Sequence, residues 1–321
     1  SLIIKKTEIF EKKTRKKLIK IAGSFQCGLK QYGLEILGTE LQLQFDKALD
    51  DKIIFIIIHL DVRNAFNELC RKHLLIFIKE HFPQWYNYFR LSYAREFKVW
   101  FSEVAEVLSA YGVTQGSCTS SLLFDAVLGQ ALINEGIDIN FINLIHDDVY
   151  IKGLLTEVEI LIIQLEKVTK VFKCLHLEIS KNKNAVLSTD ELPEDIKSRI
   201  ANAYGNEKIT FKTDGLVIGG IPIGTDAFAN SICVQRSKEI VEEAWDLTRM
   251  IGPKHPGKVI KLLTACICPR IGYLIRNIPF KNWTTQEGLV LTNHSLHTGS
   301  SSMAISFNAL EYINLEIDLM V

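Results

Sequence analysis

The chain lacks an uninterrupted apolar stretch of the ~20 residues that a bilayer span requires, and it lacks internal repeats, low-complexity linkers and an excess of charge of either sign. Each absence closes a class of protein. Without an apolar span, and with basic first residues that lead into no signal-type apolar core, the sequence reads as that of a soluble intracellular protein with no membrane partner. Seven cysteines, Cys27, Cys70, Cys118, Cys174, Cys233, Cys266 and Cys268, are odd in number and scattered. They form neither a disulfide framework nor a zinc spacing, and reduced thiols inside a cell fit them best. The 37 basic and 37 acidic residues cancel, so no whole-chain electrostatic signature of a nucleic-acid binder exists, and composition alone argues mildly against one. Seven prolines and 19 glycines in 321 residues mark no clean domain boundary; the parts are expected to pack together. The chain begins with Ser1 and not Met, and it reads as a fragment or an incomplete gene model.

What is present is a hydrophobic fraction of 47% over 321 residues, enough for one large domain or two to three packed subdomains. Charge is unevenly spread. Lys5, Lys6, Lys12, Lys13, Arg15, Lys16, Lys17 and Lys20 crowd the start against Glu8 and Glu11. Such a stretch can follow a phosphate backbone, although a solvated helix face is the commoner meaning of a charge run. The run from Ile53 to Val62 is apolar and rich in β-branched residues, a strand buried on both faces that delivers Asp61 at its end. Ser120 to Gly136 has helical spacing, with Ser120 as N-cap and Gly136 as stop. Between Phe141 and Gly153 two apolar arms flank His146, Asp147 and Asp148, the pattern of a β-hairpin with carboxylates at its turn. Thr156 to Leu177 repeats apolar residues at helical spacing and should lie against the sheet. Strands and helices mix without regular alternation, so the fold class is α+β.

A strand ending in Asp61 and a hairpin presenting Asp147 and Asp148 bring together three carboxylates, which repel unless cations hold them. Oxygen ligands of this kind suit Mg²⁺, with Mn²⁺ as a substitute, and two such ions clamp the attacking and leaving oxygens of a phosphoryl transfer. An isolated acidic pair is usually a solvated turn. Charges embedded in apolar strand patterns need a reason such as a metal.

Five segments in order resemble the reverse transcriptases of retroelements that lack long terminal repeats: His59 to Cys70, Gly112 to Phe124, Ile145 to Asp148, Leu177 to Leu187 and Gly215 to Phe228. Gln26 to Glu35 resembles a further segment ahead of the first catalytic strand, and Glu287 to Ser295 an eroded one near the end. The resemblance implies a right-hand polymerase with an antiparallel palm sheet packed on helices. Its fingers would be residues 1–52 and 71–111, its palm 53–70 and 112–230, its thumb 231–280, with a C-terminal extension over 281–321. It implies that Asp61, the Val62 carbonyl, Asp147 and Asp148 bind two Mg²⁺ ions, and that Phe66 lies under the sugar and excludes a 2′-hydroxyl. Gln115 and Gly116 would border the nucleotide and template, Lys183 (or its neighbour Lys181) would lie near the triphosphate, and Gly220, Pro222 and Gly224 would support the primer. The implied activity is RNA-directed DNA polymerisation from deoxynucleoside triphosphates on a primed RNA or DNA template.

The sequence departs from the pattern in two places. Ile145 replaces an aromatic residue two positions before Asp147, and the loop after Gln115 reads QGSCTSS, without the usual proline at Cys118. Losing that proline loosens a loop expected to be rigid. A catalytically decayed or domesticated nucleic-acid-binding remnant and an RNA polymerase of the same hand-shaped class therefore stay open as alternatives. For Phe66 a core role, for Lys183 a surface role and for the hairpin glycines plain turn geometry are the simpler meanings; His146 receives no role.

Overall fold

A computed structural model describes residues 2–102, 105–113, 119–180, 182–205 and 209–278. The chain divides into two units, Ser1–Thr213 and Asp214–Val321.

The first unit opens with helix α1 (Leu2–Ala22), which buries Phe10, Thr14, Leu18 and Ala22 at helical spacing and exposes Lys12, Lys13, Lys16 and Lys20. A 3₁₀ turn (Cys27–Leu29) leads to α2 (Gly33–Asp50) and then to strand β1 (Phe55–Leu60), in which every residue is buried. The strand is shorter than the apolar run Ile53–Val62 because its ladder stops at Asp61, whose N–H turns instead to the Asn184 side chain. After β2 (Val62–Arg63) come α3 (Ala65–Glu68), α4 (Arg71–His81), α5 (Tyr86–Tyr93), β3 (Phe97–Ser102) and β4 (Ala105–Ser109). Arg71, 6% exposed, ties this region together by donating to the carbonyls of Gly112 and Ser109.

Helix α6 (Ser120–Asn134) is buried nearly all round. Its N-cap is Thr119 and not Ser120, with no side-chain cap bond, while Gly136 supplies the expected stop at φ 74°. The hairpin of β5 (Ile142–Ile145) and β6 (Asp148–Leu154) follows, then α7 (Val158–Cys174), β7 (Glu178–Ile179), β8 (Ala185–Ser188), α8 (Glu194–Tyr204) and β9 (Thr210–Lys212). Helix α7 is narrower than the periodic stretch Thr156–Leu177 because a 3₁₀ turn, Leu155–Glu157, precedes it.

The main sheet has the order β5-β6-β1-β8-β9. It is mixed, which corrects the antiparallel sheet expected from sequence: β6 and β8 flank β1 antiparallel, but β9 runs parallel to β8. The reason is connectivity, because α8 carries the chain back to the starting end of β8 as a parallel pair requires. Helix α7 packs on β6 and α2 on β1, so apolar residues of the sheet are covered.

In the second unit β10 (Gly215–Ile218) and β11 (Ile221–Gly224) form a hairpin whose two-residue loop, Gly219-Gly220, has φ of 55° and 91°. Positive φ at both positions is what a tight hairpin turn compatible with strand twist demands. Helices α9 (Asp226–Ile251), α10 (Pro256–Leu262) and α11 (Cys268–Asn277) follow, with a π-helical turn at Leu263–Ile267. They share a small core that includes Cys233, Ile240, Val259, Leu263 and Leu274. Among the described residues no helix is long and apolar enough to cross a membrane.

Helices α1 and α6 touch most closely at Gly129, where an added Cβ would stand 2.2 Å from the carbonyl oxygen of Ala22. Gly129→Ala gains helix propensity, about 1 kcal/mol, but that backbone oxygen cannot move aside without shifting α1, and overpacking of this kind costs about 1–3 kcal/mol. The variant is expected to melt lower than wild type in a thermal unfolding scan.

Candidate active site

The site is built at the end of the two central strands. Leu60 of β1 pairs with Val149 of β6, so Asp61, one residue further, comes level with Asp148, and Asp147 lies in the adjoining turn. Asp61 is fixed by its backbone: its N–H donates to Asn184 Oδ1 at 2.8 Å, and its carbonyl accepts from the Ser180 N–H at 2.7 Å. Asn184 also donates to the Ser180 carbonyl. The connection from β7 to β8 therefore wraps around Asp61, and it brings Lys183 Nζ to 3.4 Å from the Asp61 carboxylate. Lys181 lies outside the described residues, as do Gln115 and Gly116.

Each carboxylate has a different electrostatic setting. Asp61 faces the exposed Lys183. Asp148 Oδ1 lies 3.1 Å from Nε2 of His59, a residue of β1 that is 8% exposed and stacked on Tyr150 with ring centroids 4.9 Å apart. The buried Nδ1 of His59 has no partner; a proton on Nε2 donates to Asp148 and leaves a lone pair, not an N–H, unsatisfied. Asp147 is pushed up to about 6, first by burial and then by the charges of Asp148 and Asp61, while a hydrogen bond with its own backbone opposes the shift. Tyr150 is raised as well, by burial and then by all three carboxylates. The three charges sense one another.

The donors match a hard divalent cation in kind: they are carboxylate oxygens. They do not match it in spacing. Among the described residues no three of His, Cys, Asp or Glu are grouped so as to hold a metal ion, and Lys183 and His59 occupy the positions beside Asp61 and Asp148 that a cation would contest.

Phe66, in α3, is half-buried and packs on Phe124 of α6 at 4.8 Å between centroids, with His146 at 6.5 Å. The Phe66 carbonyl accepts from the Val113 N–H at 2.7 Å. Val62, 3% exposed, pairs with Ile179. Gly220, Pro222 and Gly224 belong to the β10–β11 hairpin, where Pro222 pairs with Val217 and the Tyr273 hydroxyl donates to the Gly219 carbonyl at 2.8 Å.

Sequence reasoning passed over four neighbours of the carboxylates. His59 and Asn184 stand inside segments already singled out, but their partners are distant in sequence. Asp125 is a lone acid inside an apolar helix, a legible sign that something must satisfy it. It is 0% exposed, and its Oδ2 lies 2.9 Å from His146 Nδ1. Gln26, 1% exposed, donates to Asp125 Oδ1 at 3.2 Å. The hydrogen bond with Asp125 raises His146 against the effect of burial, and burial raises Asp125 against the effect of His146. Burial dominates at Asp125, which is fully enclosed, whereas the hydrogen bond dominates at the half-buried His146.

No protein-family model matches the chain, and no curated protein does. Among solved structures the chain is similar to apo telomerase from Candida tropicalis truncated from its C-terminal domain. The two are 13% identical with a TM-score of 0.43, over 67% of this chain and 45% of that one. The chain thus spans less than half the length of that neighbour, and a likeness at this level assigns no residue a role.

Asn184→Ala should test the local construction. It strands the Asp61 N–H away from its partner, and an unsatisfied buried donor costs about 1–3 kcal/mol. Denaturant unfolding should show a lower midpoint at unchanged slope; an unchanged midpoint would mean that water replaces the Asn184 side chain.

Proposed function

We propose that the chain is the core of a template-directed nucleotidyltransferase of the reverse-transcriptase kind, adding deoxynucleotides to a primer on an RNA or DNA template. The observation that carries this reading is the level placement of Asp61 and Asp148 at the end of adjacent strands, with Asp147 in the turn beside them and raised to about 6. Such a cluster is unfavourable for folding alone and useful where cationic charge must be held against phosphates. On this reading Asp61, the Val62 carbonyl, Asp147 and Asp148 would be the residues to meet Mg²⁺ or Mn²⁺, although the carboxylates as placed are not grouped to hold a metal ion. The chain's own residues supply the setting. Lys183, 70% exposed and already at the edge of Asp61, is free to exchange that carboxylate for a triphosphate. His59 restrains Asp148 from the neighbouring strand, β1. On this reading the second unit, with its glycine-turned hairpin and helical core, corresponds to primer support and thumb, and Gln115 and Gly116 border template and nucleotide. The origin in a retroelement without long terminal repeats is likewise part of the proposal.

Primer extension on a defined RNA template with Mg²⁺ tests it directly. Wild type should extend, and Asp147→Asn should lose about 100-fold or more of the rate, since a metal ligand secures several kcal/mol of transition-state stabilisation. The same variant should melt no lower than wild type, because it removes a half-buried carboxylate set beside two like charges. No extension by wild type on any template favours the remnant.

Sugar choice gives a second test. Phe66 packs on Phe124 but remains half-buried, so one edge of its ring is available to a substrate. Phe66→Val should raise ribonucleotide use relative to deoxynucleotide use by exclusion lost, with a modest fall in melting temperature. A purely structural Phe66 predicts lower stability, by as much as about 3–5 kcal/mol for Phe66→Ala, and an unchanged sugar ratio. Wild type already preferring ribonucleotides would favour an RNA polymerase.

A further inference from the structure

The turn that carries Asp147 is held in an uncommon conformation. His146 has φ of 55°, in the left-handed region that a residue with a side chain enters at a cost. Something has to hold it there. Hairpin pairing on either side, Ile145 with Asp148, fixes the strands but leaves the peptide groups of His146 pointing away from the ladder. Those groups meet Gln26. The Gln26 Oε1 accepts from the His146 N–H at 3.0 Å and from the Gly28 N–H at 3.1 Å, while its Nε2 donates to the His146 carbonyl at 3.2 Å and to Asp125 Oδ1 at 3.2 Å. All four hydrogen-bonding positions of the amide are filled, and the side chain is 1% exposed.

Asp125 completes the arrangement. Its second oxygen meets the His146 ring at 2.9 Å, so the residue that carries the strained backbone is gripped at its N–H, its carbonyl and its side chain. The grip comes from α6 on one side and from the segment between α1 and α2 on the other. That segment is itself docked on β5, through the Leu144 N–H to the Phe25 carbonyl at 2.8 Å and a bridge between Gln26 and Leu144. Its approach is close: a Cβ at Gly28 would lie 3.0 Å from the His146 nitrogen.

The geometry points to Gln26 and Asp125 as positioning residues, a polar clamp that sets the conformation of His146 and thereby the placement of Asp147 and Asp148. The inference rests on the polymerase reading for its consequence, and on the hydrogen bonds alone for its structural part. Gln26 touches no reacting atom. It acts through His146, and a wrongly turned peptide at that position would swing the carboxylate of Asp147 away from the end of β1, where Asp61 stands.

Substitutions that keep shape and change polarity separate the clamp from simple packing. Gln26→Glu is nearly isosteric but sets a carboxylate against Asp125; adding Asp125→Asn restores a donor between the two positions. Backbone hydrogen exchange is the first readout. Gln26→Glu should speed exchange at His146 and the adjoining turn by about tenfold, the loss of roughly one hydrogen bond to a charged or polar partner, while α7 and β8 exchange as in wild type. The double variant should regain most of the protection. Single-turnover primer extension is the second readout: its rate should fall in Gln26→Glu and recover in the double variant, with the nucleotide KM and the primer–template Kd unchanged. Unaltered exchange in the turn would overturn the clamp, as would faster exchange spread through α7 and β8 or a double variant no better than the single. Should wild type fail to extend any primer while the turn responds as stated, the clamp stands and the polymerase reading falls.

Discussion

Repulsion among three carboxylates at the end of one sheet is the constraint around which the first unit is arranged. Two strands that pair residue by residue from Phe55–Leu154 to Leu60–Val149 necessarily finish with Asp61 and Asp148 level. Their charges, after burial, help to raise Asp147 in the turn beside them. The protein meets each differently. Lys183 is offered from the β7–β8 connection and His59 from within β1, whereas at Asp147 burial outweighs the backbone hydrogen bond and the nearby His146 that oppose it. Because Asp61 sits where the β1 ladder stops, its peptide groups also need partners, and Ser180 and Asn184 supply them. One residue thus dictates the course of the chain from β7 to β8.

The hairpin side shows the complementary device. A two-residue connection between strands tolerates few backbone conformations, and the residue with positive φ is ordinarily Gly or Asn. His146 occupies it instead. A histidine there costs more than glycine in backbone energy but brings a ring that reaches Asp125. The buried acid would be unfavourable within α6 without it, so the turn and the helix each depend on the other. The segment holding Gln26 lies more than a hundred residues earlier in the chain than the turn it satisfies, and the carboxylates are consequently coupled to the packing of α1 and α2.

What the sequence discloses and what it hides follow from the range of the interactions. The buried run around Ile56, Ile57 and Ile58, the two arms of the β5–β6 hairpin and the periodicity of α7 are local patterns; the structure has the strand and the helix with ends trimmed by two or three residues, and the hairpin within one residue at either end. The parallel β8–β9 pair has no local signature; it exists because α8 reverses the chain, and short apolar strands look alike whichever way their partner runs. Asp125 was legible as an acid in apolar surroundings. Its partner Gln26 was not, since a buried amide announces itself only through donors and acceptors brought in from 99 and 120 residues away. The basic start of the chain is legible as a helix face and no more, because exposed lysines satisfy water and phosphate equally well.

The energetic burden of the cluster bears on whether the chain acts or merely binds. A fold with only packing to maintain gains nothing from a carboxylate that burial and two neighbours push up to about 6, and an asparagine or serine at position 147 would hold the same turn without it. Nor does nucleic-acid binding call for such a group, since an anionic cluster repels a phosphate backbone. On the proposed reading the arrangement becomes favourable when positive charge enters together with a substrate that needs it. Lys183 can leave Asp61 because it is exposed, and His59 can keep its bond to Asp148 because that oxygen is one of two. The supports of the carboxylates, Asn184 and Ser180 on the backbone of Asp61, are separate from the groups that face their side chains. On the proposed reading it is this burden, and not a likeness to another chain, that distinguishes phosphoryl transfer from simple binding.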